Sequence, residues 1–170
     1  MNRLLLLSSL MLICLFVGIA KLNTAVKQYE ASVDVKAIKK AIESYVMDYK
    51  HFPLSVDEQL QAGSHDATVG LIIGNSNLVA ILTDNPDTEV NGSHVKNPLK
   101  KKYLVVNTAR SNAQRGIGPD GNFRDPWGHQ YVITLDINLN GQCVDPVLGS
   151  IPDPIVVWSK GPAQPVCSWH

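Results

Sequence analysis

Ala31-Ser32-Val33-Asp34-Val35-Lys36-Ala37-Ile38-Lys39-Lys40-Ala41-Ile42-Glu43-Ser44-Tyr45-Val46-Met47-Asp48-Tyr49-Lys50-His51-Phe52-Pro53 is the stretch that decides the fold. Val35, Ile38, Ala41 with Ile42, Tyr45 and Tyr49 recur at three- and four-residue spacing, while Lys36, Lys39, Lys40 and Glu43 surround them. That is one face of an amphipathic helix, with a dry side that must pack on something. Ile38, Ile42, Tyr45 and Tyr49 are the expected packing residues, and Pro53 sets the stop.

Working upstream, no Gly or Pro falls between Gly18 and Pro53, so the helix runs back without a break. It enters an apolar run from Leu4 to Ala20, 17 residues interrupted only by Ser8, Ser9 and Gly18. A spanning helix usually needs about 20 residues. The same residues also describe a cleavable signal peptide: Met1-Asn2-Arg3 as a positive start, Leu4 to Val17 as the apolar core, and Gly18-Ile19-Ala20 as a small-x-small site. Both readings stand. Cys14 lacks the small residue that a lipoprotein site needs before its cysteine, and reads as a small hydrophobe. A helix from Leu4 to Lys50 would be roughly 70 Å long, about twice a bilayer core, and would have to project from the membrane.

The composition suits one globular domain of about 115 residues beyond that stem. The 170-residue chain is 45% hydrophobic, with 15 basic and 15 acidic residues. A neutral chain without a basic stripe points away from nucleic acid, and Lys100-Lys101-Lys102 reads as a solvated turn. The expected division is 1–20 as transmembrane or signal-like segment, 21–52 as stem, and 53–170 as head.

Past Pro53 the chain changes to short elements between Gly, Pro and Asn. Gly63 to Asp66 reads as a loop, Asn77 to Thr83 as a short helix capped by Ser76 or Asn77, and Asp84 to Pro98 as a polar loop. Tyr103–Val106, Gln130–Leu135 and Ile155–Trp158 carry the β-branched and aromatic residues of three strands in a small antiparallel sheet. The stem's stripe is the natural cover for one face of that sheet, with Ile38 and Ile42 near Tyr131 and Trp158. The fold class is therefore α+β: a long N-terminal membrane-anchoring stem helix packed on a small antiparallel sheet.

Three segments in order now carry a resemblance. They are Ala41 to Pro53 at the end of the stem, Asp125-Pro126-Trp127-Gly128-His129-Gln130-Tyr131, and Val157-Trp158-Ser159-Lys160-Gly161-Pro162. Together they resemble the major pseudopilin of type II secretion systems, in the pilin-like superfamily. In that family the stem ends in Tyr-x-x-Asp-x-x-x-aromatic-Pro, the middle carries Asp-Pro-Trp-Gly-x-x-Tyr, and a late strand ends in a Ser-x-Gly turn. The resemblance implies a structural subunit in the bacterial inner membrane, crossing it once with its C-terminal head in the periplasm. Its implied partners are further copies of itself in a helical filament, other pseudopilins and inner-membrane proteins of the secretion system. Asp125, Pro126, Trp127 and Gly128 read as a structural turn: Pro sets φ, Gly takes positive φ, Asp accepts backbone N–H groups and Trp plugs the sheet edge.

The chain departs from the family at two places. The basic leader, the peptidase Gly and the Glu at the fifth mature position have no counterpart, since Arg3 is the only early charge and Glu30 the first Glu. Measured back from Phe52-Pro53, the chain starts a few residues inside the family's mature helix, which implies either a start codon set too late or a member that keeps an uncleaved anchor. The family's calcium loop after the last strand here reads Gly161-Pro162-Ala163-Gln164-Pro165-Val166-Cys167, without a carboxylate. A second candidate is Asp136-Ile137-Asn138-Leu139-Asn140-Gly141, with oxygen side chains at loop positions one, three and five and Gly at six. Asp136, Asn138, Asn140 and Asp145 would hold Ca²⁺, with Asp145 replacing the absent twelfth-position Glu. The alternative is an Asn/Gly hairpin turn without metal.

Cys143 and Cys167 would both lie outside the membrane, where a bridge would close a loop of about 25 residues and contribute about 3 kcal/mol. Two free thiols are the alternative. No Gly-x-Ser-x-Gly, Cys-x-x-Cys, Walker loop or dinucleotide fingerprint occurs, and the five His are scattered, so no catalysis is expected. The rival from another class is a periplasmic binding or accessory protein freed by signal peptidase.

Overall fold

A computed structural model describes residues 2–169, with side-chain surroundings from Gly18 onward. The chain is α+β: one long N-terminal helix and a small antiparallel sheet. Helix α1 (Asn2–Tyr49) closes at Lys50, which takes φ +63° and returns its N–H to Val46 O at 2.9 Å. Most of the expected anchor Leu4–Ala20, including Cys14, lies outside the described side chains. Among the described residues no helix is long and apolar enough to cross a membrane.

Helix α2 (Val56–Ala62) begins in a capping box. The Ser55 side chain accepts from Glu58 N, and the Glu58 side chain from Ser55 N. Helix α3 (Ser76–Leu82) covers the expected short helix shifted by one residue. The expected cap residues do not cap it. Asn75 turns inward to hold Phe123 and Tyr131, and Asn122 Oδ1 accepts Ser76 N–H from across the fold.

The main sheet has the order β1-β4-β7-β8, from β1 (Ala67–Val69), β4 (Val132–Leu135), β7 (Ile155–Ser159) and β8 (Val166–Cys167). All neighbours are antiparallel, with Val132 opposite Trp158 and Leu135 opposite Ile155. A small ribbon, β2 (Gly116–Ile117) with β3 (Phe123–Arg124), and a hairpin, β5 (Cys143–Asp145) with β6 (Gly149–Ile151), complete it. The expected strands at 130–135 and 155–158 are β4 and β7. The expected strand Tyr103–Val106 is corrected: Tyr103 and Leu104 give their N–H groups to Leu82 O, at 2.8 and 3.0 Å, so this segment caps α3.

Strand alternation makes two cores. Tyr131, Ile133, Leu135, Ile155 and Val157 face the stem and bury Val35, Ile38, Ala41, Ile42 and Tyr45. Val132, Val156 and Trp158 face the other way and are covered by Cys143 and Ile151 of the hairpin. Ile38 and Ile42 thus share a core with Tyr131, as expected, but not with Trp158, which the two-residue period places on the far face.

Candidate assembly surface on the stem

The helix that buries one face against the head exposes another. Ile19, Leu22, Val26, Tyr29 and Val33 follow a strict three-four-three-four spacing and are 44–72% exposed. At about 100° per residue this seam points roughly 160° away from the buried seam of Ala31, Val35, Ile38, Ile42 and Tyr45. The exposed seam occupies the half of the described stem before the head, and the buried seam the half within it. Contiguous exposed apolar side chains at heptad spacing are what a second helix covers. Asn23, Ala25 and Ser32 flank the seam and leave room for close approach.

A polar clasp fixes the angle at which head and stem meet. Asp34, buried on the stem, accepts Arg115 Nε and one terminal nitrogen, both at 2.7 Å, and the Tyr131 hydroxyl at 2.7 Å. Arg115 reaches Glu30 as well, at 3.2 Å. The bonds to Asp34 raise the guanidinium above its ordinary value. Burial, with the Asp34 carboxylate beside it, pushes the Tyr131 phenol far up, so it stays a donor at any working pH. Beside the clasp lies a groove of about 470 Å³ lined by Lys27, Val33, Ala37, Val105, Arg115 and Phe123.

Further up, Lys39 pairs with Asp153 of the turn before β7. Tyr45 donates to Lys96 O at 2.6 Å, and Tyr49 donates to Asn97 Oδ1 at 2.9 Å. Asp48 accepts Lys101 Nζ and the Tyr103 hydroxyl, which hold its carboxyl below the usual range. All four expected packing residues therefore meet the head, with Ile38, Ile42 and Tyr45 buried and Tyr49 half-buried at the core margin.

The turn at 125–128 closes as a turn, with Gly128 at φ +89° and its N–H on Asp125 O at 3.0 Å. Asp125 is fully buried and its Oδ1 accepts the N–H groups of Trp127 and His129. Trp127 is half-buried and belongs to neither apolar cluster.

The four expected calcium ligands divide: Asp136, Asn138 and Asn140 share one hydrogen-bonded turn, and Asp145 holds another. Asp136 accepts Asn140 and Gly141 N–H at 3.1 and 2.7 Å, Asn138 and Asn140 accept further turn N–H groups, and Asn138 donates to Asp66. Asp145 is buried elsewhere, accepting Trp158 Nε1, the Thr134 hydroxyl, and Val147 and Leu148 N–H. Its carboxylate organises the β5–β6 turn and the far core, so it cannot stand in for the missing Glu. Among the described residues no group of three or more His, Cys, Asp or Glu could hold a metal ion.

Cys143 and Cys167 are free thiols, which corrects the expected bridge. They share the far apolar cluster, where the Cys143 thiol donates to Thr134 O at 3.3 Å. Burial pushes it up to about 12.

The exposed seam was within reach of sequence reasoning, since its heptad spacing is plain. It continues directly from the apolar run Leu4–Ala20, which masks it as a separate stripe. Asp34 and Arg115 gave no local signal, being 81 residues apart. The chain matches no protein-family model, no curated protein and no solved structure.

Proposed function

We propose that this chain is a pseudopilin-like structural subunit rather than an enzyme. It is held in the bacterial inner membrane by its N-terminal segment, with the head in the periplasm. Copies assemble with one another, with other pseudopilins and with inner-membrane proteins of a type II secretion or type IV pilus-like system, into a filament that supports secretion across the outer membrane. The observation that carries this reading is the pair of opposed apolar seams. One fastens the stem to its own head, and the other leaves Ile19 to Val33 open for a neighbouring stem. Burying that free seam against the same seam of a neighbour pairs two stems, and extension into a filament takes a further, heterologous contact beside it.

The pilin-like reading of the fold is supported by the order of its parts: a stem ending at His51-Phe52-Pro53, then the turn at Asp125 and the turn at Ser159. The experiment is fractionation of cells expressing the full chain, followed by intact-mass measurement. The filament reading expects a membrane-bound species that retains the apolar segment. A soluble species beginning at Lys21 overturns it in favour of a released periplasmic accessory protein.

A further inference from the structure

Asn-Gly occurs twice in this chain, at Asn91-Gly92 and at Asn140-Gly141, and the fold treats the two steps in opposite ways. At such a step the backbone nitrogen can attack the preceding side-chain amide with little hindrance, because glycine has no Cβ beside that nitrogen. The attack is helped by three things: an amide carbonyl folded back over the nitrogen, a group that takes the nitrogen's proton, and a donor on the oxygen where negative charge develops.

All three stand at Asn140, in the loop between β4 and β5. Gly141 donates its N–H to Asp136 Oδ2 at 2.7 Å, so a buried carboxylate is already seated on the proton to be lost. Gln142 donates its N–H to Asn140 Oδ1 at 3.0 Å. That Asx turn folds the amide back over the Gly141 nitrogen and places a donor on its oxygen. Asp136 Oδ1 and Asn138 Oδ1 accept Asn140 N–H at 3.1 and 3.2 Å, which holds base and amide in one turn. Asn140 is exposed, and a Cβ at Gly141 would meet nothing within 4 Å, so water reaches the site. Asn91 is the reverse case. It is fully buried, and its Oδ1 points forward to accept Lys96 and Asn97 N–H at 3.2 and 3.1 Å, bonds it must leave before its amide can close on Gly92.

We propose that Asn140-Gly141 is a self-modification site, where the chain converts the Asn140 amide to a carboxylate without an enzyme. Gly141 N bonds to Asn140 Cγ as its proton passes to Asp136. The Cγ–Nδ2 bond then breaks, and Nδ2 leaves as ammonia with the proton that Asp136 returns. One water opens the resulting cyclic imide to an aspartate or an isoaspartate at position 140, and nothing is oxidised or reduced. Either product adds a negative charge to the loop that Asp136 organises, and the isoaspartate also routes the backbone through the former side chain and removes the Asx turn. The reaction needs this chain and water alone and is independent of the filament reading.

The test is incubation of the full chain in heavy-oxygen water, both native in detergent and unfolded in guanidinium chloride, followed by peptide mass mapping. In the native chain the peptide holding Asn140 should show the amide-to-acid mass gain with one heavy oxygen, at least as fast as in the unfolded chain. The peptide holding Asn91 should convert in the unfolded chain only. Asp136→Asn, which removes the proton acceptor, should slow the native conversion at least about tenfold and leave the unfolded rate unchanged. Because Asp136 supplies the base, the native rate at Asn140 should rise less steeply with pH than the unfolded rate, a comparison that needs no variant. Slower conversion of Asn140 in the native chain than in the unfolded one overturns the proposal. So does an equally steep pH dependence, or a native rate that Asp136→Asn leaves unchanged or raises.

Discussion

The Ser159 hydroxyl donates to Asp125 Oδ2 at 2.5 Å, so the turn after β3 and the turn that ends β7 are one hydrogen-bonded unit. Both residues are fully buried, and Ser159 Oγ also accepts Gly161 N–H at 3.2 Å. Two sequence motifs 34 residues apart thus serve a single purpose: they pin the sheet to the loop that leads into β4. Asp125→Ala removes the acceptor for the Ser159 hydroxyl and for two backbone N–H groups. It should destabilise the protein by about 3 kcal/mol in denaturant unfolding. In a double-mutant cycle with Ser159→Ala, the two losses should fall short of additivity by about 1 kcal/mol or more. Simple additivity would contradict the shared role.

Removing Asp34 should loosen the stem from the head. Asp34→Ala leaves the buried Tyr131 hydroxyl without its acceptor and strands Arg115, and about 2–3 kcal/mol should be lost. Ile42→Ala, at a fully buried position on the same face, should cost a similar 2–4 kcal/mol through the cavity it leaves. A protein that melts unchanged with either substitution would refute the stem-to-sheet packing.

The thiols provide a pH prediction. Cys143 is raised from 9.0 to about 12 by burial, with Asp66 adding to the effect. The folded state therefore favours the neutral thiol. Its contribution is fully present below the unfolded value and is lost as pH rises from about 9 toward 12. Stability should fall across that window, and less so in Cys143→Ala. At pH 8 native protein should alkylate at half-buried Cys167 well before Cys143. A native mass two protons lighter than the reduced form would show a bridge instead and contradict the free thiols.

Calcium at millimolar concentration should leave the melting temperature unaltered, because Asp145, the second carboxylate the loop would need beside Asp136, is committed to Trp158 Nε1, the Thr134 hydroxyl and its own turn. Asp136→Ala should lower stability by about 1–2 kcal/mol with or without the ion. A calcium-dependent rise in melting temperature that Asp136→Ala abolishes would contradict this loop geometry.

Local periodicity carried the parts of this fold that rest on local periodicity. The buried stripe from Val35 to Tyr49, β4 and β7 were legible because their side chains repeat with the period of the element that buries them. Tyr103–Val106 has strand composition, yet its backbone partner is a helix-end carbonyl 21 residues back, which composition cannot show. β1 is three residues between Asp66 and Gly70, too short to announce itself. Ser76 and Asp145 share a reason for departing from expectation: each is a short polar residue beside a turn, where capping or metal binding is the local expectation. In each case a partner distant in sequence claimed the residue. Of the assembly surface, the seam from Ile19 to Val33 was visible as spacing, whereas its exposure depended on where the head sits.

The most direct measurement is oxidative cross-linking of the full chain in its membrane, comparing Val26→Cys on the exposed seam with Gln28→Cys, which lies well around the helix from it. Both positions are exposed in the single chain, so exposure alone does not separate them. The seam account predicts a new covalent dimer from Val26→Cys and, above the unaltered chain, none from Gln28→Cys. Equal dimer yields from the two, or none from either, would contradict it.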